Sequence, residues 1–283
     1  MDEYFLSIEQ HNPYQQQSYI SCGADPEIFF YKGKEAHSAE GLVGGTKKNP
    51  RPIPGLSEGF FVQEDNVAAE FNIPPATNEK QFAQDIKKAV QYIRSVAWQH
   101  NLRVKPRAAA LFPWAQLTTA QARELGCDPD YDAWTGTRNN SPDAAGNLRT
   151  AAGHVHLSSK FIPIGDRKWL SVIQSLDLFL GVPSVLITEK SRRREMYGRA
   201  GAFRPKPYGV EWRVLDNFWI FSSPQAKHIF STAEFCVRSV VENPIFIEEV
   251  QASREDIIRT INEHDKVLAQ ELIDRHQLSE YPK

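Results

Sequence analysis

The sequence predicts an α+β fold built on a mainly antiparallel β-sheet, and two observations carry that prediction. Short strand-like runs are separated by long, uneven connections, and the amphipathic helices gather late in the chain. A third observation keeps the chain together as one domain, 1–283. No Gly/Ser-rich linker, internal repeat or low-complexity stretch interrupts the 283 residues, and C-terminal helices are expected over about 224–276.

Taken in order, residues 19–31 (YISCGADPEIFFY) read as a strand, as do residues 66–73 (NVAAEFNI), which stop at Pro74-Pro75. Asn78 then opens a helix with Gln81 as its capping-box partner, and Phe82, Ile86, Ala89, Val90, Ile93 and Ala97 form its apolar stripe. Residues 103–114 and 149–159 read as further strands. The run 166–180 is apolar at helical spacing and is expected to end at Gly181, a natural C′ residue. Residues 209–215 (GVEWRVL) alternate like a strand. Helices over 224–241 and 254–276 finish the chain, with Ser253 as the expected N-cap of the second.

Composition excludes several classes. Net charge is -2, so no global attraction draws the chain to nucleic acid or an anionic membrane. Mean hydropathy is -0.47, and no apolar run approaches the roughly 20 residues that span a bilayer. The opening residues MDEYFLSIEQHNPYQQQ lack the basic-then-apolar order of a secretory signal. Cys22, Cys127 and Cys236 are odd in number and in no metal-ligand spacing, which suits a reducing compartment; a cytoplasmic location is expected. One local feature departs from this evenness: Arg192, Arg193, Arg194, Arg199, Arg204 and Arg213 crowd into 22 residues.

The chemistry rests on a spacing. Residues i and i+2 of a strand share a face, and four strand-like segments each carry a polar pair at that spacing: Asp25/Glu27, Glu70/Asn72, His154/His156 and Glu211/Arg213. Carboxylates gathered on one face raise each other's pKa values or require cations among them. Oxygen-rich sites with an occasional imidazole suit Mg²⁺ or Mn²⁺, and Mg²⁺ commonly bridges carboxylates and nucleotide phosphates. Guanidinium groups supply the complementary half by gripping phosphate and carboxylate oxygens. Taken singly the pieces have bland readings. Asp-Pro-Glu is often a turn, Arg192–Arg194 read equally as a solvated helix face, and Glu211/Arg213 as a salt bridge. Four pairs together are what those readings do not explain.

The order of these residues resembles the glutamine synthetase/glutamate–cysteine ligase superfamily. An acidic pair Asp25-Pro26-Glu27 is followed by Glu64 and Glu70, by Gly153-His154-Val155-His156, by Arg199 and Arg204, and by Glu211-Trp212-Arg213. The segments GADPEIFF, DNVAAEFNIPPA, GCDPDYDAW, RTAAGHVHLS and YGRAGAFRPKPYGVEWRVL are similar to the phage COOH–NH₂ ligase type 2 (amidoligase) family, from about Ser21 to Asn217. The resemblance implies a curved antiparallel sheet with helices on its outer face, as in a glutamine synthetase catalytic domain. It implies one metal held by Glu27 and Glu70 with Glu64, and a second held by Asp25, His154 and Glu211. His156 would lie near the nucleotide, Arg199 and Arg204 on ATP phosphates, and Arg213 on a phosphate or the substrate carboxylate. Asp25 is shorter than the glutamate common at that position, and Asp65 could stand in for Glu64.

The implied activity is an ATP- and Mg²⁺-dependent (or Mn²⁺-dependent) carboxylate–amine ligase with two or more metal ions, joining small-molecule or peptide carboxylate and amine substrates. Nucleic acid and membrane are not expected partners; an oligomer is open. Asp130 and Asp132 are candidates for the general base. Gly44-Gly45-Thr46-Lys47-Lys48 lacks phosphate-loop spacing and reads as a flexible turn, although Lys47 could reach the nucleotide. Two other readings stand beside the ligase: a guanidino- or amino-group kinase of the same fold, and a non-catalytic phage structural or binding protein that keeps the sheet. The loop 128–146 is the expected seat of specificity.

Overall fold

The computed structural model describes residues 18–123, 130–140 and 146–282. Cys127 and parts of the expected specificity loop lie outside these residues, as do the first 17.

The segment expected as one strand over 19–31 is two. Strand β1 (Ser21–Ala24) and strand β2 (Glu27–Lys32) are separated at Asp25-Pro26, where proline has no N–H to give. Strands β3 (Glu35–His37), β4 (Arg51–Pro52), β5 (Phe61–Asp65) and β6 (Ala68–Asn72) follow. Helix α1 (Glu79–Gln99) starts at Asn78, whose side chain accepts from the Gln81 N–H. Gln81 does not reciprocate as a capping box; its amide reaches forward to Asp85. Strand β7 (Arg103–Lys105), strand β8 (Ala109–Leu111), helix α2 (Ala120–Arg123), strand β9 (Tyr131–Asp132), strand β10 (Leu148–Thr150) and strand β11 (Val155–Ser158) lead to the centre of the chain.

Helix α3 (Lys168–Leu176) does not stop at Gly181. It passes through a π-helical turn, Asp177–Gly181, into helix α4 (Val182–Ile187). A glycine in helical conformation (φ -63°) continues a helix, and side-chain room decides the residue here: a Cβ on Gly181 would meet Ile261 at 2.8 Å. The continuous helix Lys168–Ile187 corrects the hydropathy reading above. By length and composition it could cross a membrane, but 72% of its most apolar window is buried inside the protein, as in a core helix.

Helix α5 (Arg192–Met196) precedes the hairpin of strand β12 (Ala202–Lys206) and strand β13 (Gly209–Trp212), and helices α6 (Ser223–Glu242), α7 (Pro244–Ala252), α8 (Arg254–Glu263) and α9 (Lys266–His276) complete the chain. The helix expected over 254–276 breaks where His264 adopts φ 59°. Ser253 sits at its start but makes no side-chain cap; its hydroxyl bonds His276 instead.

All strand pairings among the described residues are antiparallel. One ladder runs β1-β11-β13-β12-β9, another β3-β2-β6-β5-β4 with β7 also on β2, and β8 and β10 form a separate ribbon. The two large ladders meet in the 21–32 segment. Beyond the β2–β6 pairing, Phe71 and Ile73 donate to the carbonyls of Pro26 and Ala24, and Cys22 bridges Ala76. One face of this sheet, with Cys22, Ile28, Ala69, Phe71, Val155, Leu157, Val210 and Trp212, is buried in the main core. Helices α1 and α6 pack together, and α3 packs against α6 and β13. The α+β class with a mainly antiparallel sheet is therefore as the sequence predicts. The other face carries the polar pairs, and beyond Glu27 it continues into a smaller cluster of Phe29, Tyr31, Phe112 and Leu117.

Candidate active site

Strand register converts the polar spacing into three rows. Gly23 pairs with His156, His156 with Glu211 and Glu211 with Arg204. Two residues along, Asp25 lies against His154, and Arg213 donates its N–H to Ala202. A third row lies across β2, β6 and β5, where Glu27 pairs with Glu70 and Glu70 with Gln63. Asp65, two residues from Gln63, falls on the same face.

These rows produce two carboxylate-rich groups. The ligand atoms of Glu27, Asp65 and Glu70 lie within 4.8 Å of one another, as do those of Asp25, His156 and Glu211. The first group corrects the assignment of Glu64. Glu64 pairs with Ala69 and so points to the opposite side of β5; its carboxylate accepts from the Gly44 N–H at 2.8 Å. The register of the β5–β6 hairpin was the signal: a two-residue turn at Asn66-Val67 puts Asp65, not Glu64, on the face of Glu70. The second group exchanges the histidines. His156 Nε2 stands 2.8 Å from Asp25 Oδ1, while His154 Nδ1 lies 3.2 Å from Asp25 and 3.4 Å from Glu211 Oε1. His154 therefore touches the second group through Nδ1, and its buried Nε2 has no hydrogen-bond partner. His154 also lines a cleft with Glu27, Asp65 and Arg213.

The electrostatics separate the two groups. Burial, then the Asp65 charge, lifts the Glu27 carboxyl to about 7. Burial and the charges of Asp25, Asp65 and Glu27 push Glu70 well above the usual range. Burial would also raise Glu211, but Arg213 beside it holds it at about 2. Desolvation would likewise raise the half-buried Asp25, but His156 and His154 hold it well below the usual range. Burial, then Arg213, lowers His154 to about 4. The first group is thus a set of carboxylates whose charges raise one another's pKa values, tempered at Glu27 by Arg193 and Arg213, and the second is already neutralised by protein cations.

Those cations are Arg204 at 3.2 Å and Lys206 at 2.6 Å from Glu211 Oε2, and Arg213 on Oε1. Arg213 also reaches Asp130 at 3.3 Å. Lys206 was not singled out in the sequence. The hairpin register Lys206↔Gly209 puts it on the face of Arg204 and would have found it. That turn needs its glycine: at φ 153° a Cβ on Gly209 would meet the Leu157 carbonyl at 2.1 Å.

The remaining candidates are dispersed. Arg199 is exposed, donates to the Glu195 carbonyl, and lines a polar cavity of about 420 Å³ with Asp130, Arg138 and Tyr197. Lys47 lies in the exposed turn between Thr46 and Asn49. Asp132 accepts from the Trp134 N–H and so shapes its own loop. Of the arginine run, Arg192 is exposed, but Arg193 and Arg194 are 1% and 2% exposed, which excludes a solvated helix face for those two. Arg193 donates to the carbonyls of Val214 and Arg213 and to Asp216, fastening the end of β13.

Oxygen-rich groups with one imidazole fit hard divalent cations, and the clustered carboxylates Glu27, Asp65 and Glu70 are chemically suited to one. Beside His156 opens a cavity of about 310 Å³ lined by Ala24, Ile73, Pro75, Leu157, Asn72, Ser158 and Tyr208. The Tyr208 hydroxyl bonds His156 Nδ1. Fold and site together define one sheet face that carries clustered carboxylates and clustered cationic side chains side by side.

Residues 148–267 match the family described as phage phiEco32-like COOH.NH2 ligase-type 2, the family the sequence motifs resemble. The match includes His154, His156, Arg199, Arg204, Glu211 and Arg213; Asp25, Glu27, Asp65 and Glu70 precede it. No curated protein matches the chain. Two solved structures are similar at 14% identity over 90% of this chain. One is described as "GmaS/ADP complex-Conformation 1" (TM-score 0.41, 66% of that chain) and one as "Apo GmaS without ligand" (TM-score 0.44, 65% of that chain). This chain thus spans just under two thirds of the length of either.

Proposed function

We propose that the chain is an ATP-dependent carboxylate–amine ligase that forms an amide bond through an acyl phosphate. The observation that carries this reading is the juxtaposition of a carboxylate triad, Glu27–Asp65–Glu70, with a cation cluster, Arg204, Lys206 and Arg213, on one sheet face. A carboxylate is a poor acyl donor because its leaving group would be oxide; transfer of the γ-phosphoryl group supplies phosphate as the leaving group. Such transfer is catalysed by positioning and by neutralising charge.

Glu27, Asp65 and Glu70 would hold one divalent cation, Mg²⁺ or Mn²⁺, and Asp25, His156 and Glu211 a second. Bound there, the ions would offset phosphate charge. Arg204 and Lys206 are suited to grip the phosphates. Both lie on Glu211 in this structure, and an arriving polyphosphate competes for them. Arg213, held between Glu211 and Asp130, is suited to orient the carboxylate or the acyl phosphate. The cavity beside His156 and Tyr208 suits a nucleoside, with apolar walls and a few polar groups. The polar cavity at Arg199 suits a charged small molecule or peptide. A cytoplasmic site of action, in a host cell if the gene is carried by a phage, belongs to the same proposal.

The test is isotopic. With substrate carboxylates uniformly ¹⁸O-labelled, as a mixture of amino acids and short peptides with ATP and Mg²⁺, the released phosphate is expected to carry one ¹⁸O per ADP formed. ADP release with phosphate oxygen drawn only from water would overturn the acyl-phosphate route. ADP formation that leaves the phosphoryl group on an acceptor nitrogen, with no ¹⁸O appearing in phosphate, would favour the kinase reading.

A further inference from the structure

Asp177 lies on the far side of the sheet from the carboxylates. It is fully buried and borne on the π-helical turn that interrupts the core helix, where the Val182 N–H bonds the Asp177 carbonyl. π-turns inside α-helices frequently accompany functional sites, and this one aims a carboxylate at three separate segments. Its Oδ2 accepts from Trp134 Nε1 at 2.7 Å and from the Gly201 N–H at 2.5 Å, and its Oδ1 from Trp212 Nε1 at 2.9 Å. Each donor belongs to a segment that carries a charged residue of the candidate site. Trp212 ends β13, between Glu211 and Arg213. Trp134 closes the loop that carries Asp130. Gly201 follows Arg199 and opens β12, which carries Arg204.

We propose that Asp177 is a positioning residue that sets the Asp130–Arg213–Glu211 chain and the Arg204 strand in one mutual arrangement for nucleotide binding. This rests on the ligase reading above. Two further contacts show how tightly the three segments close on each other. Gln174, one helical turn before Asp177, donates to the Ala133 carbonyl at 2.7 Å, so the same helix grips that loop twice. Gly201 has no room for a side chain: at φ 76° a Cβ would meet Asp132 Oδ1 at 2.3 Å and Trp134 at 2.7 Å. Arg213 pairs with Asp130 on one side and Glu211 on the other. Both ends of that ionic chain are therefore fixed by one carboxylate, through Trp134 and through Trp212. A carboxylate serves because all three neighbours are donors. An amide offers one oxygen and must turn its NH₂ toward either Trp212 or the Trp134/Gly201 pair.

The test compares the wild-type chain with Asp177→Asn, with Asp177→Asn/Trp212→Phe, and with Trp134→Phe as a milder variant that keeps the carboxylate. Each is titrated with AMPPNP in the presence of Mn²⁺, and followed by thermal melting and by the indole N–H NMR signals of Trp134 and Trp212. Asp177→Asn is expected to shift those signals and to weaken AMPPNP binding about tenfold or more, the scale of small misplacements in a binding site. The double variant removes the donor–donor clash and recovers part of the loss. Trp134→Phe weakens binding less than Asp177→Asn. Unchanged AMPPNP affinity in a destabilised Asp177→Asn chain would make the residue a structural pin only and overturn the proposal. A wild-type chain that binds no AMPPNP overturns the nucleotide reading itself, and the positioning role with it.

Discussion

Glu27 and Glu70 are direct cross-strand partners on β2 and β6. Like charges opposed in this way destabilise a sheet, and burial compounds the cost, so both carboxyls have raised pKa values. A pair of this kind serves a bound cation at the expense of the metal-free fold. Glu70→Gln is therefore expected to stabilise the metal-free protein by about 1 kcal/mol, which is about 2–4 °C in melting temperature for a chain of this size. The same change should abolish saturable Mn²⁺ binding. Thermal melts with and without Mn²⁺ check both; a variant that melts lower and still gains stability from Mn²⁺ would contradict the assignment.

Asp65 and Glu64 are adjacent acids with opposite expected phenotypes. Asp65→Asn should weaken Mn²⁺ binding by an order of magnitude or more, about 1.4 kcal/mol for each factor of ten. Glu64→Gln should leave it within about twofold and instead loosen the turn held through the Gly44 N–H. Isothermal titration of the two variants separates them, and equal losses would mean that the strand parity has been misassigned.

This pair shows how much of the site was legible in the sequence. The i, i+2 spacing placed His154/His156 and Glu211/Arg213 on one face, and the structure keeps them there. Spacing within a strand says nothing of register between strands, and register is what exchanged Glu64 for Asp65 and added Lys206. The fold class was legible because alternation and helical stripes report local burial. The strand break at Asp25-Pro26 had a visible cause in proline, whereas the continuation of the core helix through Gly181 did not: only the contact with Ile261 shows why glycine is there. The burial of Arg193 and Arg194 was likewise illegible, because Arg193 is held by the carbonyls of Arg213 and Val214 and by Asp216, and Arg194 by the Ser184 hydroxyl, none of them neighbours in sequence.

Glu27 gives a pH dependence. Its folded-state value of about 7 exceeds the ordinary 4.5, so between those values the folded chain holds a proton that the unfolded chain has lost. Its contribution to stability is thus present in full below about 4.5 and lost as pH rises through 7. The metal-free protein should gain stability as pH falls from 8 toward 5. A cation at this site displaces the proton, so Mn²⁺ affinity should rise with pH through 7. Calorimetry near pH 6.5 in buffers of different ionisation enthalpy should register proton release; no buffer dependence would contradict it.

Glu211 behaves in the opposite sense. Arg204, Lys206 and Arg213 surround it, and removing a buried partner leaves those charges uncompensated at a cost of roughly 3–5 kcal/mol. Glu211→Ala should abolish metal-dependent ATP turnover and also lower the melting temperature markedly, while Glu211→Gln loses turnover with a smaller drop. Chemical denaturation of both variants alongside an ADP-release assay checks this, and an undisturbed melt in Glu211→Ala would show the cation cluster to be solvated.

The proposed ligase requires two cation sites on one sheet face, the second shared with a nucleotide. Crystals soaked with Mn²⁺ and AMPPNP, with data collected at the manganese edge, test it most directly. One anomalous peak is expected among Glu27, Asp65 and Glu70 with Mn²⁺ alone. A second, among Asp25, His156 and Glu211, is expected when AMPPNP is also present, with phosphates on Arg204 and Lys206. Absence of manganese from both groups at saturating metal and nucleotide would contradict the account.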